Sequence, residues 1–323
     1  MMNHPTIFVS VACMDDQEVY STVTSAINNA SISSRIHVGV GLLAMEKATL
    51  KIVKKLSKQH KNFTFSYEKQ RYNDASTLGV GKGRMRAQKL YSGQDYFLQV
   101  DSHTYFDVNW DIQLLDLFQE ACTTVGDDNV VLTCIPGGYT NTPNFTRVIE
   151  LDQVRYASYY KNELFVGTVP KWNDWFLSDI YPTLPKFVPS VKANSAMLFG
   201  NKKFAEDTGI NEDAFFYDEE VVYSINLVGR GFALVFPNIK DFPLYHLDSE
   251  YITTGHDRYF FLEYLDSDVQ TTTNEMIKKS YLDFIEDPKN AKSIQAYSEY
   301  AKIDLRSGFL LDQVPYVPET FRI

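Results

Sequence analysis

Cysteine is scarce in this sequence. Its 323 residues include only Cys13, Cys122 and Cys134, which are odd in number and widely spaced. They form neither a Cys-x-x-Cys pair nor the dense disulfide framework that is typical of small secreted domains. We therefore expect reduced thiols and a cytoplasmic protein.

Long hydrophobic runs and an excess of positive charge are also missing. No apolar stretch approaches the roughly 18 residues that suggest a membrane span, and residues 1–5 lack the pattern of a secretion signal. The formal net charge is −10, whereas a general polyanion binder presents a basic face. We therefore expect no membrane partner and no nonspecific binding to nucleic acid. A local basic patch at Lys82, Arg84 and Arg86 still suits one diphosphate.

What the chain does contain is a regular alternation of strand and helix patterns, with 44% apolar residues to form a core. The predicted strands span residues 6–12, 35–41, 63–67, 96–100, 129–134 and 233–236. The predicted helices span residues 17–28, 46–60, 84–90, 110–125 and 218–228, and helical patterns dominate after residue 257. This alternation predicts an α/β fold with a mainly parallel central sheet flanked by helices. The composition of residues 136–192 predicts loops and irregular strands, which are the usual place for a variable substrate surface.

The tripeptide Asp101-Ser102-His103 follows an apolar strand at the point where the chain leaves the sheet. Ligands of open α/β sheets bind beyond such carboxyl ends, and residues two apart on an extended chain project to the same side. Asp101 and His103 can therefore share a divalent cation such as Mn²⁺, since a carboxylate and an imidazole suit such an ion. His246, just beyond a late apolar strand, is a second candidate histidine ligand. The alternative is a polar strand end with a structural histidine.

The glycines of Gly79-Val-Gly-Lys-Gly83 match neither of two familiar phosphate motifs. A Walker A loop would have Ser or Thr after Lys82, and a dinucleotide fingerprint would follow a strand directly. The pattern predicts a turn that presents Arg84 and Arg86 at a helix start, where positive side chains and free N–H groups bind anions. The alternative is a solvated basic helix face.

Several blocks in order resemble a known family. They are residues 7–12, 79–84, 98–103 with Trp110-Asp111, 218–220, 231–237 and His246. They are similar to the GlcNAc-transferase family, which includes the transferases that act on hydroxyproline of Skp1. The D-S-H element is shared more distantly with polypeptide GalNAc-transferases. The resemblance covers roughly residues 5–260.

The resemblance implies a GT-A fold, a UDP-sugar donor and a divalent cation, with Mn²⁺ as the expected cofactor. It implies a metal site of Asp101, His103 and His246. The donor-binding residues that it implies are Ala12, Asp16, Arg84, Gln99, Asp101 and Ser102. Its implied catalytic residues are Glu219, Glu220 and Asp101, although helix-surface charge is the alternative for the two glutamates. This chain has Cys13-Met-Asp-Asp16 where the family usually shows an aromatic-Arg-Asp run.

The resemblance also implies a domain plan and a reaction. Residues 1–260 would form the catalytic domain, with 1–110 as the nucleotide-binding half and 111–260 as the acceptor half. Residues 261–323 would form a helical extension packed on it. A sugar, with GlcNAc as first candidate, would pass to an acceptor hydroxyl of a protein, a glycan or a modified nucleobase, with retention of configuration. An inverting route would need Glu219 or Glu220 as base.

Three other functions fit the same residues. A nucleotidyltransferase would release pyrophosphate in place of nucleoside diphosphate. A noncatalytic sugar-binding protein would bind without turnover. A glycosyltransferase acting on modified DNA bases would place its DNA contacts in residues 136–192, although the acidic composition argues against it.

Overall fold

The computed structural model describes most of the chain. The described residues are 5–44, 47–70, 79–141, 147–149, 156–159, 165–166, 169–170, 172–175, 185–215, 218–247 and 267–305. Much of the expected substrate surface at residues 136–192 therefore lies outside them.

Every strand and helix that the sequence patterns predict is present, and the described residues contain further strands that they did not predict, among them Met197–Asn201 within the central sheet. The elements up to the middle of the chain are β1 (Ile7–Met14), α1 (Val19–Asn28), β2 (Ile36–Ala44), α2 (Lys47–Gln59), β3 (Phe63–Lys69), α3 (Val80–Gln88), β4 (Tyr96–Asp101), β5 (Thr104–Phe106), α4 (Trp110–Val125), β6 (Val130–Thr133), β7 (Gly137–Asn141), β8 (Arg147–Ile149), β9 (Tyr156–Tyr159), β10 (Phe165–Val166), β11 (Val169–Pro170) and β12 (Trp172–Trp175). The later ones are β13 (Phe187–Pro189), β14 (Met197–Asn201), α5 (Lys202–Glu206), α6 (Asp218–Gly229), β15 (Ala233–Pro237), β16 (Leu244–Leu247), α7 (Ser267–Glu286) and α8 (Ala291–Ala301).

Within the described ranges, the central sheet has eight strands in the order β13-β15-β6-β14-β4-β1-β2-β3. Six strands run in the same direction, while β14 and β13 run against their neighbours. β1 is apolar on both faces because both are covered: Ile7, Val9 and Val11 pack in one hydrophobic cluster and Phe8 in another. The predicted α/β class with a mainly parallel sheet is confirmed.

A second sheet of four strands has the order β5-β16-β7-β8. Its β16 contains His246, which pairs in register with Thr104 of β5 and with Gly138 of β7. The prediction that His246 lies just beyond a strand exit of the main sheet is therefore wrong. The chain leaves β15 at Pro237 and then enters this second sheet, whose strand β5 directly follows the Asp-Ser-His turn.

The glycines after residue 79 form part of a helix and not a turn, which corrects the sequence-based expectation. α3 begins at Val80 and includes Gly81 and Gly83. A Cβ added at Gly81 would lie 2.2 Å from the carbonyl oxygen of Asn211, and one at Gly41 of β2 would lie 2.1 Å from that of Gly83. The close contact of α3 with its neighbours therefore requires glycine. This packing outweighs the helix propensity cost of about 1 kcal/mol per glycine.

The last two helices pack on α6 and extend its hydrophobic core. This cluster contains Val221 and Ile225 of α6, Ile277 and Tyr281 of α7, and Tyr297 of α8. Tyr297 also donates a hydrogen bond to the carbonyl oxygen of Val191, at 2.6 Å. The C-terminal segment is therefore helical where it is described, whereas the proposed boundary at residue 260 lies outside the described residues.

Candidate metal centre and active site

Asp101, His103 and His246 come together although they belong to different elements. Asp101 ends β4, His103 lies in the turn that leads to β5, and His246 lies in β16. Their potential ligand atoms all lie within 4.8 Å of one another. The Nε2 atoms of the two histidines are 3.1 Å apart, and the Oδ2 atom of Asp101 lies 3.2 Å from Nε2 of His246 and 4.0 Å from Nε2 of His103.

These three residues fit a divalent cation. Ligands on adjacent corners of an octahedron with bonds of about 2.1 Å lie about 3.0 Å apart, close to the two shorter separations. One carboxylate oxygen and two imidazole nitrogens suit Mn²⁺ and related transition metals. The predicted side-by-side placement of Asp101 and His103 is also what the structure contains.

The two oxygens of Asp101 face different partners. Oδ1 accepts a hydrogen bond from Nη2 of Arg84 at 2.6 Å, while Oδ2 faces the two histidines. Burial raises the pKa of Asp101, but the charge of Arg84 and the hydrogen bond to His246 outweigh it and hold the pKa well below its ordinary value. The carboxylate is therefore ionised near neutral pH, which a metal ligand requires.

Arg84 extends from α3 beneath this cluster and is almost fully buried. Besides Asp101, it donates to Oε1 of Glu219 at 2.9 Å and to the carbonyl oxygens of Val100 and Ser195. Burial lowers the pKa of Arg84, but Glu219 and Asp101 raise it more. Arg84 is thus a fixed cation that holds carboxylates in place. Arg86, expected at the same anion site, instead pairs with Glu68 of β3.

Neither candidate catalytic glutamate is a solvated surface charge. Burial raises the pKa of Glu219 to about 7, partly offset by the charge of Arg84. Glu220 accepts hydrogen bonds from the backbone N–H of Ser195 at 2.9 Å and from its hydroxyl at 3.0 Å, and it pairs with Lys192 at 2.7 Å. Both carboxylates therefore lie inside the polar network under the metal candidates.

Three of the predicted donor-binding residues lie around the same turn. Ala12 of β1 is half-buried and pairs in register with Asp101. Asp16 accepts a hydrogen bond from the hydroxyl of Ser102 at 2.6 Å, and its Oδ2 lies 2.8 Å from Nδ1 of His103. Asp16 and Ser102 are both buried, and these contacts join Asp16 to Ser102 and to His103.

Gln99, another predicted donor-binding residue, is fully buried within the network. Its amide donates to the carbonyl oxygen of Ser195 at 3.3 Å, and its Oε1 accepts from the hydroxyl of Tyr223 at 2.6 Å. A direct donor contact would require this arrangement to open. The structure instead makes Gln99 a link between β4 and α6.

Sequence reasoning missed the residues that anchor the Asp-Ser-His turn. The hydroxyl of Thr22 in α1 donates to the carbonyl oxygen of Ser102 at 2.7 Å and accepts from the backbone N–H of Thr104 at 3.0 Å. The hydroxyl of Tyr139 donates to the carbonyl oxygen of His103 at 3.3 Å. These partners are 36 to 82 positions apart, so local patterns carry no signal for them.

Comparison with solved structures identifies the fold. The structure is similar to that of GalNAc-T7 with UDP, GalNAc and Mn²⁺, with a TM-score of 0.55 and 13% identity over 95% of this chain and 55% of that one. It also matches TarS of S. aureus, with a TM-score of 0.45 and 15% identity over 88% of this chain and 44% of that one. The chain thus spans about half the length of the solved structures that it matches. The fold is the GT-A glycosyltransferase fold that the resemblance implies.

The family assignment comes from the sequence itself. No curated protein matches the chain. The model of the family described as glycosyltransferase (GlcNAc) matches residues 53–250, more than half of the chain. The matched segment contains Asp101, His103 and His246 and the helix of Glu219. The chain belongs to the glycosyltransferase (GlcNAc) family.

Proposed function

We propose that the chain is a metal-dependent glycosyltransferase that moves a sugar from a UDP-sugar, with UDP-GlcNAc as first candidate, to an acceptor hydroxyl. The observation that carries this proposal is the cluster of Asp101, His103 and His246 at the end of a strand of the main sheet, in a member of this family. The presence of UDP, GalNAc and Mn²⁺ in the similar GalNAc-T7 structure supports the donor class and the cation.

Each residue of the site would have a distinct role. Asp101, His103 and His246 would hold the cation, which supplies Lewis-acid stabilisation of the leaving nucleoside diphosphate. Arg84 would keep Asp101 ionised and oriented, since it binds Oδ1 and leaves Oδ2 for the cation. Ala12, which lies beside Asp101 on β1, would border the nucleotide.

The contacts of the two glutamates favour retention of configuration. A general base must reach the acceptor proton, but Glu219 is bound to Arg84, and Glu220 to Ser195 and Lys192. In a retaining route the leaving phosphate accepts that proton, so both glutamates can keep their contacts. NMR spectroscopy of the product would test this, because an α-linked donor that gives a β-linked product would contradict retention.

The acceptor and the cellular location belong to the same proposal. The acceptor would be a hydroxyl of a protein, a glycan or a modified nucleobase. All three cysteines lie within the described residues and form no disulfide, which supports a cytoplasmic location. Among the described helices, none is both long and apolar enough to cross a membrane.

The decisive experiment measures release of nucleoside diphosphate. The purified chain is incubated with Mn²⁺ and a panel of UDP-sugars and other nucleotide sugars, with and without EDTA, so that slow transfer to water is detected without an acceptor. We expect release from one donor, lost with EDTA and reduced about 10³-fold in Asp101→Ala, the loss typical of removing transition-state charge stabilisation.

The exposed Asp127 provides the matched control, since Asp127→Ala removes a carboxylate of the loop between α4 and β6 that is not part of the cluster, and it should leave the rate unchanged. Release of pyrophosphate would show a nucleotidyltransferase instead. Donor binding without turnover, insensitive to loss of Asp101, would show a sugar-binding protein.

A further inference from the structure

Asp16 is held rigidly just after β1. The preceding residue, Asp15, adopts a left-handed backbone conformation with φ of 46°, which turns the chain sharply at the end of the strand. The Oδ1 atom of Asp16 accepts a hydrogen bond from the backbone N–H of Glu18 at 2.9 Å. Since only 8% of Asp16 is exposed, the direction of its second oxygen, Oδ2, is fixed by the chain itself.

That second oxygen faces two consecutive residues of the Asp-Ser-His turn. Ser102 donates its hydroxyl to Oδ2 at 2.6 Å, and Nδ1 of His103 lies 2.8 Å from the same atom. A carboxylate only accepts hydrogen bonds, so this contact places the imidazole proton on Nδ1. The lone pair of a neutral imidazole then lies on Nε2, the atom that faces His246 and Asp101.

We propose that Asp16 is the positioning residue that fixes the ring orientation and the tautomer of His103 for metal binding, in place of the uridine contact that the family resemblance implies. A carboxylate behind a metal-binding histidine raises the basicity of the ligand and holds its ring in place. The inference rests on the metal site of the proposed function. It adds a residue that lies 87 positions away from His103 and contacts its Nδ1, while Nε2 would bind the cation.

The backbone around His103 is held independently of Asp16. Its carbonyl oxygen accepts from the N–H of Leu247 at 3.0 Å and from the hydroxyl of Tyr139, and Thr22 binds the turn on either side of it. Replacement of Asp16 should therefore leave the His103 ring free to reorient and to change tautomer, while the main chain stays in place. This separates a positioning role from a purely structural one.

The test measures Mn²⁺ affinity by isothermal titration calorimetry on the full chain without any nucleotide. We expect Asp16→Asn to bind Mn²⁺ about 10- to 100-fold more weakly, the usual effect of losing such a partner. Asp127→Asn is the matched control, because Asp127 is exposed and also accepts a backbone N–H two residues ahead, from Asn129 at 2.9 Å. Ser102→Ala removes the other hydrogen bond to Oδ2 and should weaken Mn²⁺ binding by less than Asp16→Asn.

A second readout follows the imidazole directly and does not need the metal. In ¹⁵N NMR spectra of the metal-free chain, His103 should show protonated Nδ1 and unprotonated Nε2, and Asp16→Asn should populate the other tautomer. Unchanged Mn²⁺ affinity or an unchanged His103 spectrum in Asp16→Asn would overturn the inference. A variant that instead loses affinity for UDP in the presence of EDTA, with Mn²⁺ binding intact, would restore the uridine contact and overturn it as well.

Loss of the metal site and loss of the role of Asp16 give different results. A wild-type chain that binds no Mn²⁺ would overturn the metal site and this inference together. A wild-type chain that binds Mn²⁺ and a variant that binds it equally well would overturn only the role of Asp16.

Discussion

Among the described residues, two arginine–aspartate pairs with a buried arginine are built differently. Arg35 and Asp111 join the turn before β2 to the first turn of α4, with Nη2 and Oδ2 at 2.8 Å. Asp111 also accepts hydrogen bonds from the backbone N–H of Ser31 at 2.8 Å and from its hydroxyl at 2.7 Å. Both oxygens are thus used within the protein, and the side chain is fully buried.

The pair of Arg84 and Asp101 is incomplete by comparison. Arg84 binds only Oδ1 of Asp101, and it divides its charge between this carboxylate and Glu219. Oδ2 faces two imidazoles, and 23% of the Asp101 side chain is exposed. The Arg35–Asp111 pair is therefore a purely structural contact, whereas the Arg84–Asp101 pair leaves Oδ2 of Asp101 facing the candidate metal site. The difference lies in the partners of the carboxylate oxygens: those of Asp111 accept hydrogen bonds from Ser31 and Arg35, whereas Oδ2 of Asp101 faces the two candidate histidine ligands.

The largest effect on stability should follow from breaking the pair of Arg35 and Asp111. Asp111→Asn leaves Arg35 buried without its counter-ion, so we expect a loss of about 3–5 kcal/mol in the free energy of unfolding, measured by urea denaturation. Affinity for Mn²⁺ in the folded fraction should be unchanged. A loss of Mn²⁺ affinity at constant folded fraction would show that the two pairs are coupled.

The same variant has a defined pH dependence. Burial raises the pKa of Asp111, but hydrogen bonds from Ser31 and Arg35 outweigh this and lower it below the ordinary value of 3.8. Its stabilising contribution is therefore present above pH 3.8 and is lost as the pH falls through the lowered pKa. The difference in stability between wild type and Asp111→Asn should shrink in that acidic range.

A smaller effect on stability should come from adding Mn²⁺, which would bind Oδ2 of Asp101 in the pair with Arg84. At a free concentration of 100 times Kd, a ligand that binds only the folded state stabilises it by about 2.7 kcal/mol. We expect this gain for wild type and for folded Asp111→Asn, but not for Asp101→Ala. Thermal unfolding with and without Mn²⁺ measures it, and an equal gain in Asp101→Ala would place the cation elsewhere.

The smallest effect concerns the second carboxylate on Arg84. The pKa of Glu219 is raised to about 7 from an ordinary value of 4.5, so the folded state binds its proton more tightly than the unfolded state does. Its stabilising contribution is complete below pH 4.5 and is lost as the pH rises through 7. Between pH 5 and 8, the free energy of unfolding, measured by urea denaturation, should fall by about 2 kcal/mol more in wild type than in Glu219→Gln. An identical loss would contradict the raised pKa.

Local patterns in the sequence were sufficient for the six strands of the main sheet that share one direction and for half of the site, but not for the antiparallel strands β13 and β14. The alternation of apolar runs predicted the order of strands and helices, and α4 begins and ends where its pattern does. The two-residue period of an extended chain predicted that Asp101 and His103 share a side; their ligand atoms do lie together, but through a turn at Ser102 and His103 and not through an extended chain. These features depend on neighbouring residues only, which is why they could be derived without the structure.

The remaining features depend on contacts between distant segments. Gly81 and Gly83 were interpreted as a turn because their role, close packing of α3 on β2 and on the loop at Asn211, is visible only in three dimensions. The bonds from Asp16 to His103 and from Arg84 to Glu219 join residues 87 and 135 positions apart. No local pattern encodes these pairings.

The position of the three candidate ligands on two different sheets has a kinetic consequence. Asp101 belongs to the main sheet and His246 to the second sheet, 145 positions later. Because contacts between distant segments cost loop-closure entropy, we expect this one to form late in folding. A bound cation would link the two sheets in the folded state. This link would be absent while the chain is still folding. Stabilisation absent from the folding transition state slows unfolding and leaves the folding rate unchanged. The metal would thus extend the lifetime of the folded enzyme without helping the chain to reach it.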